Sequence, residues 1–286
     1  DKGENQILVS YINISNNIRL ESEIQAHKLN DIKKAEFIST LSHELKTPLN
    51  IFASSVQLLD SFSDGDKEEF VYKYKKHSPY LALNCKRMLR LINNIIDLTK
   101  IDVGMIKPNF GNYEIVSLIE EIALSIIPYG MSKNIDIEFD TNVEEHYIKC
   151  DPNMIEKIVL NLLSNAIKYS KNNGYIKINL ILESDIIRFI VSDNGIGIDE
   201  KIKGKIFDRF SRGDNSLNRL NEGSGVGLSI VKSMIDIHNG NVTVESVLGK
   251  GSTFEVQLPN IKIEDELEEI YEYNRDKTVL ELSDIY

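Results

Sequence analysis

The sequence predicts a helical hairpin that pairs with a second copy into a dimeric four-helix bundle, followed by an α+β sandwich with helices on one face of a mixed sheet. Three observations predict it. In the first third, apolar residues recur at three- and four-residue steps with few Gly or Pro; a Gly- and Pro-bearing linker, DVGMIKPNFGN, then interrupts the pattern; beyond it, alternating strand segments interleave with amphipathic helices.

Residues 15–101 form the hairpin. Ile38, Leu41, Leu45, Leu49, Phe52, Val56 and Leu59 lie on one stripe of a first long helix. SFSDGDKEE turns the chain, and a second helix from about Lys67 to Lys100 carries Leu81, Cys85, Met88, Leu91, Ile92, Ile95 and Leu98. Two helices cannot cover both stripes by themselves, so a homodimer is the economical solution. His43, in SHELKTPLN, lies two residues from both Leu41 and Leu45 and so points away from the stripe. Glu44 stands beside it. Pro48 cannot donate to the Glu44 carbonyl, which predicts a bend or loosening within a turn of His43. His27 and His77 lack such surroundings and read as surface or bundle residues.

Residues 102–112 read as the linker and 113–260 as the sandwich. Helices are predicted at Ile115 to Ile127, Pro152 to Ser170 and Gly227 to Asn239. Strands are predicted at YIKINLILE, IIRFIVSD, NVTVES and STFEVQLP. In the helix from Pro152, the residues Ile155, Ile158, Val159, Leu162, Leu163 and Ala166 make an apolar face, whereas Asn161, Asn165 and Lys168 share another. Amides in a row can hold a metal ion and phosphate oxygens, or simply face water. Asp193 ends a strand that runs into DNGIGI, where Gly195 and Gly197 let backbone pass close to a ligand, and its carboxylate can accept from an exocyclic amine. Phe207 and Phe210 can anchor a long polar loop ending in GSGVGL, with Gly223, Gly225 and Gly227 leading into a helix whose amino terminus attracts phosphate. GKGST near Lys250 fails the P-loop spacing.

The ends read differently. QILVSYINIS, residues 6–15, reads as a leftover strand of a preceding domain, and the chain, beginning at Asp1, reads as cut from a longer protein. Residues 261–286, with EDELEE near their start, read as an acidic, solvated extension. The net charge of −11 argues against nucleic-acid binding. No apolar run approaches the roughly 20 residues of a membrane span, so no membrane contact is expected. Two cysteines, Cys85 and Cys150, have neither metal nor redox spacing and suit a reducing, cytoplasmic setting, although a parent protein could be membrane-attached.

In this order and on these elements, SHELKTPL, NLLSNAIKYS, DNGIGI, IFDRF and GSGVGL resemble the H, N, G1, F and G2 boxes of the sensor histidine kinases of two-component signalling. The resemblance spans roughly Ile14 to Pro259. It implies a HisKA-type dimerisation and phosphotransfer domain and a GHKL, or Bergerat-type, ATP-binding domain, with residues 1–14 as a remnant of a sensor domain or linker. It further implies that His43 is the phosphoacceptor, that Glu44 polarises its imidazole, and that Thr47 serves a phosphatase reaction. Asn165 would hold Mg²⁺, with Asn161 assisting at the phosphates, and Lys168 and Tyr169 would line the ATP. Asp193, with Gly195 and Gly197, would take the adenine; Arg212 would lie near the γ-phosphate; and Gly223, Gly225, Gly227 and Leu228 would cradle phosphate. The implied partner is the receiver domain of a response regulator. A rival reading is an ATPase or ATP-gated module of the same fold. Those hydrolases typically carry a glutamate where this chain has Asn161, and an amide cannot activate water. A coiled-coil scaffold would explain the hairpin but not the glycine-rich boxes.

Overall fold

A computed structural model describes the backbone of residues 2–62, 67–208, 225–283 and 285, with side chains omitted for residues 2–18 and for several positions between 22 and 37. Residues Asp1–Glu44 and Leu45–Tyr286 are separate compact units. Helix α1 (Lys2–Ser61) begins in the first and ends in the second. It includes QILVSYINIS, so the expected strand is helical. The β-branched residues there cost a helix only tenths of a kcal/mol each, and a helix already nucleated extends by one hydrogen bond per residue added. The helix continues through Pro48, which is buried.

Helix α2 (Lys67–Asp102) follows the turn, whose residues 63–66, including Asp64, lie outside the described residues. Of its predicted stripe, Leu91 and Leu98 are buried, but Cys85 and Ile92 are exposed. On α1, Leu49 and Phe52 are likewise exposed, at 52% and 42%. These apolar faces stand uncovered in the single chain. The side of α2 that is buried is largely polar, with Asn84, Arg90 and Asn94.

The sandwich begins with β1 (Gly111–Glu114), whose last residue caps α3 (Ile115–Ser132) by accepting from Val116 and Ser117 N–H. By length and composition α3 could cross a membrane, contrary to the expectation from sequence. It is a core helix: Ile115, Leu118, Ile119, Ile122 and Ile126 are at most 2% exposed, and it packs on its neighbours in the sandwich. β2 (Asp136–Thr141) and β3 (Tyr147–Cys150) lead to α4 (Pro152–Tyr169), started by Asp151 as N-cap and Pro152 in its first turn. β4 (Tyr175–Leu182), β5 (Ile186–Asp193), the short α5 (Glu200–Lys203), α6 (Gly227–Ile237), β6 (Asn241–Val247) and β7 (Gly251–Pro259) complete the predicted pattern. The main sheet has the order β2-β4-β5-β7-β6, parallel at β2–β4 and antiparallel elsewhere. Burial alternates along β4, β5 and β7, so one face meets the helices. Ile176, Ile178, Leu180, Phe189, Val191 and Val256 form its core side, each contributing roughly 1.5–3 kcal/mol.

The expected solvated extension is instead packed. β8 (Glu268–Glu269) pairs in parallel with β1 in a second sheet, ordered β3-β1-β8, and α7 (Arg275–Glu281) packs against α2, α3 and α4. The acidic run EDELEE faces solvent as its charge requires. Tyr273, Thr278, Leu282 and Ile285, spaced beyond it, supply the apolar and hydrogen-bonding side.

Candidate nucleotide site and phosphoacceptor helix

Three elements converge at one end of the main sheet: the later turns of α4, the end of β5 and the start of α6. Asn161 on α4 is 1% exposed, and its amide nitrogen donates to the Lys157 carbonyl at 2.9 Å. Its side-chain oxygen occupies the space a Cβ on Gly227 would need, at 2.5 Å. Gly227 thus lets α6 start against α4. Asn165 and Lys168, on the following turn, are half-buried, and the Lys168 ammonium lies 5.3 Å from the Tyr169 ring centroid.

At the end of β5, Asp193 accepts from Gly195 N–H at 2.8 Å. Burial pushes its carboxyl above the usual range, opposed by the backbone N–H groups of Gly195 and Ser252. A side chain at Gly195 would lie well inside contact of the Tyr169 carbonyl oxygen, which itself accepts from Ile196 N–H at 3.1 Å. Gly197 has φ +67° and fits against Val247. DNGIGI is therefore wedged between the end of α4 and the β6–β7 turn, where only backbone fits.

That turn contains what sequence reasoning set aside. GKGST is no P-loop; Gly251, at φ +110°, lies against the Asp193 carbonyl, and Ser252 pairs with Asp193 across β5 and β7. The residues behind Asp193 belong to the far end of the chain, and the signal that could have found them is the Gly-x-Gly spacing at a hairpin. Phe207 meets Phe254 edge-on at 6.3 Å. Gly225 has φ +65°, and α6 follows Val226 without a side-chain cap from any described residue. Leu228 is half-buried on that turn. Arg212, Gly223 and Phe210 lie outside the described residues.

On α1, His43 is exposed, as its place off the apolar stripe requires, and Glu44 and Thr47 are half-buried. Leu41, two residues earlier, is 8% exposed. Among the described residues no group of three or more His, Cys, Asp or Glu side chains forms a metal site.

A helical segment with an exposed His43, and a sandwich in which Gly195, Gly197 and Gly227 let backbone and Asn161 close in beside Asp193, define the class. The family description "His Kinase A (phospho-acceptor) domain" matches residues 33–104, and "Histidine kinase-, DNA gyrase B-, and HSP90-like ATPase" matches 150–262. The chain belongs to the sensor histidine kinases of two-component signal transduction. It is similar to the sensor histidine kinase WalK of Bacillus subtilis, 32% identical over 237 residues that cover 80% of this chain and 37% of WalK. It is also similar to the circadian input-output histidine kinase CikA of Synechococcus elongatus, 31% identical over 228 residues, 79% of this chain and 30% of CikA. The chain thus spans little more than a third of these relatives at most. Its fold matches histidine kinase ThkA solved in complex with response regulator protein TrrA, with a TM-score of 0.58, 24% identity, and coverage of 79% of this chain and 61% of that one.

Proposed function

We propose that this chain phosphorylates itself on His43 from ATP and Mg²⁺ as a homodimer, and passes the phosphoryl group to an aspartate of a response regulator. The observation that carries the reading is the pairing of an exposed His43 with a cleft in which Asn161, a buried amide tied to Lys157, stands where a hydrolase of this fold needs a base. No step of hydrolysis is served by that amide. Phosphoryl transfer asks chiefly for positioning and charge neutralisation, which the cleft's parts supply.

Asp193, held by the Gly195 and Ser252 N–H groups, would accept from the adenine amine, with the side-chain-free Gly195 beside it. Lys168 and Tyr169 line the nucleotide. The start of α6, which no described side chain caps, would with Gly225, Gly227 and Leu228 offer the phosphates N–H groups and the positive end of the helix dipole. Gly223 and Arg212, outside the described residues, are assigned to the phosphate end by the family resemblance alone. Mg²⁺ would neutralise phosphate charge when bound; it commonly keeps several waters, so one amide oxygen, that of Asn165 with Asn161 behind it, suits it without a carboxylate cluster. Glu44 accepts a hydrogen bond from one imidazole nitrogen of His43, leaving the other as nucleophile. Thr47, four residues on, orients water toward a regulator's phosphoaspartate, giving a phosphatase. The exposed Leu49, Phe52 and Ile92 are covered by the second copy. ATP supply places these domains in the cytoplasm. The partner class is the one the family implies, in keeping with ThkA, which was solved in complex with response regulator protein TrrA.

The test is incubation with γ-labelled ATP. Acid-labile, alkali-stable label that disappears in His43→Gln is expected. Label that persists in that variant, or release of phosphate without any protein label, overturns the proposal in favour of an ATPase.

A further inference from the structure

Nearly all of the packed C-terminal segment lies beyond the second matched family region, which ends at residue 262, and it touches two different parts of the molecule. Its first part is rooted in the ATP-binding sandwich. Asn112 on β1 donates to the carbonyls of Ile263 and Glu266 and accepts from Ile263 N–H at 2.8 Å. Glu156 on α4, 1% exposed, accepts from Tyr271 Oη at 2.9 Å and from Lys277 Nζ at 2.8 Å. Its other oxygen has no hydrogen-bond partner among the described residues. A carboxylate so buried is tolerable only with its cation in place, so this part of the segment is integral to the sandwich.

The last part grips α2 instead. Glu281 Oε2 and Arg90 Nε lie 2.8 Å apart with side chains 9% and 11% exposed, and Arg87 Nε donates to the Ser283 carbonyl at 3.0 Å. Leu282 and Ile285 are buried around them. The α2 face they meet is polar: Arg87, Arg90, Asn94 and Asp97 follow one another at steps of three and four, and Asp97 pairs with Lys157 of α4. Asn94 is 4% exposed, yet its side-chain oxygen has no hydrogen-bond partner among the described residues. The ionic and amide groups stand beside buried Leu91, Leu282 and Ile285, so the contact mixes charged with apolar surface. Charged and amide groups regain water when such a contact opens, which makes it separable.

We infer that residues 261–285 form a strap, rooted in the ATP-binding sandwich, whose end latches that sandwich onto α2 through Arg90 and Glu281. The latch couples the two domains: a rotation of α2 that carries Arg90 away from Glu281 leaves both charges unpaired in the contact and releases the sandwich, while the Tyr271–Lys277–Glu156 root keeps the strap ready to close again. This concerns docking and does not depend on which phosphoryl acceptor the protein uses.

The experiment is hydrogen–deuterium exchange on the full 286-residue chain and its Glu281→Gln variant, which keeps the shape of the side chain and removes its charge. Exchange in α2 around Arg87 to Asp97 is expected to quicken at least about tenfold. Exchange in β4 and β5, and affinity for a fluorescent ATP analogue, should stay at parental values. Combining Arg90→Met with Glu281→Leu, an uncharged pair of similar bulk, should restore slow exchange in α2. Parental exchange in Glu281→Gln overturns the latch. So does acceleration spread equally through β4 and β5, which would make the strap a general stabiliser of the sandwich.

Discussion

Replacing Gly227 by Ala separates positioning from folding at the nucleotide cleft. A Cβ there would sit 2.5 Å from Asn161 Oδ1 and, among the described residues outside α6 and its neighbours, meets no backbone within 4 Å, so the clash falls on the end of one side chain. Ordinary contact begins near 3.4 Å against that 2.5 Å, so the amide must retreat by about 0.9 Å. The retreat strains the 2.9 Å bond from Asn161 to the Lys157 carbonyl in a site 1% exposed to water. An unsatisfied buried amide costs roughly 1–3 kcal/mol, which for a domain of this size lowers Tm by about 2–10 °C. The protein therefore still folds. Misplacement by about 1 Å, however, costs on the order of 100-fold in a step that depends on alignment. The expected outcome is a cooperative melt, adenine-analogue binding within about threefold of the parent because Asp193 is untouched, and labelling of His43 slowed about 100-fold. Binding is measured with a fluorescent ATP analogue and labelling by quenched time courses with γ-labelled ATP. Labelling at the parental rate in a folded Gly227→Ala variant would refute the role given to Asn161.

Asp193→Asn should act on stability and binding in opposite directions. Burial raises the folded-state pKa of Asp193, so the stability linked to this group is full below the ordinary carboxylate pKa and is lost as pH rises through the raised folded value. Without nucleotide the variant should therefore melt higher than the parent at pH 7 and lose that segment of pH dependence, while binding an ATP analogue at least about tenfold more weakly, as loss of a charged acceptor implies; a lower melting temperature with unchanged binding would refute both halves. Gly195→Ala, unlike Gly227→Ala, pushes against the Tyr169 backbone and should cost about 1–3 kcal/mol in thermal unfolding; an unshifted melt would show that the cleft yields easily. Thr47→Ala should keep His43 labelling and slow loss of label from a phosphorylated cognate regulator by about tenfold or more, and equal rates would remove Thr47 from the phosphatase step. Burial, with Asp151 beside it, pushes the Cys150 thiol up to about 12, whereas Cys85 is exposed, so iodoacetamide at pH 8 should modify Cys85 alone in folded protein, as mass mapping can show.

Local patterning determined much of this protein. The two long helices, the helix at Pro152 and the strands β4 to β7 were legible because their apolar residues repeat at the period of the element, and neighbours in sequence supply both signal and structure. The boxes were legible for the same reason, since each is one short continuous stretch of sequence. β1, β2 and β3 were not: each is short, and what makes them strands is a partner, as when β2 finds β4 beyond β3 and α4. Only the tertiary structure decided that Asp193 is backed by Gly251 and Ser252, residues some sixty positions away that a β5–β7 register brings together. It also decided the fate of the C-terminal segment. EDELEE looks solvated from its charge, and its side chains are, but Tyr271, Lys277 and Glu281 find a buried carboxylate on α4 and a buried guanidinium on α2. An ionic residue's preference for water is a property of the residue alone, whereas the opposite charge that overrides it is contributed by another part of the chain, and only folding brings the two within reach.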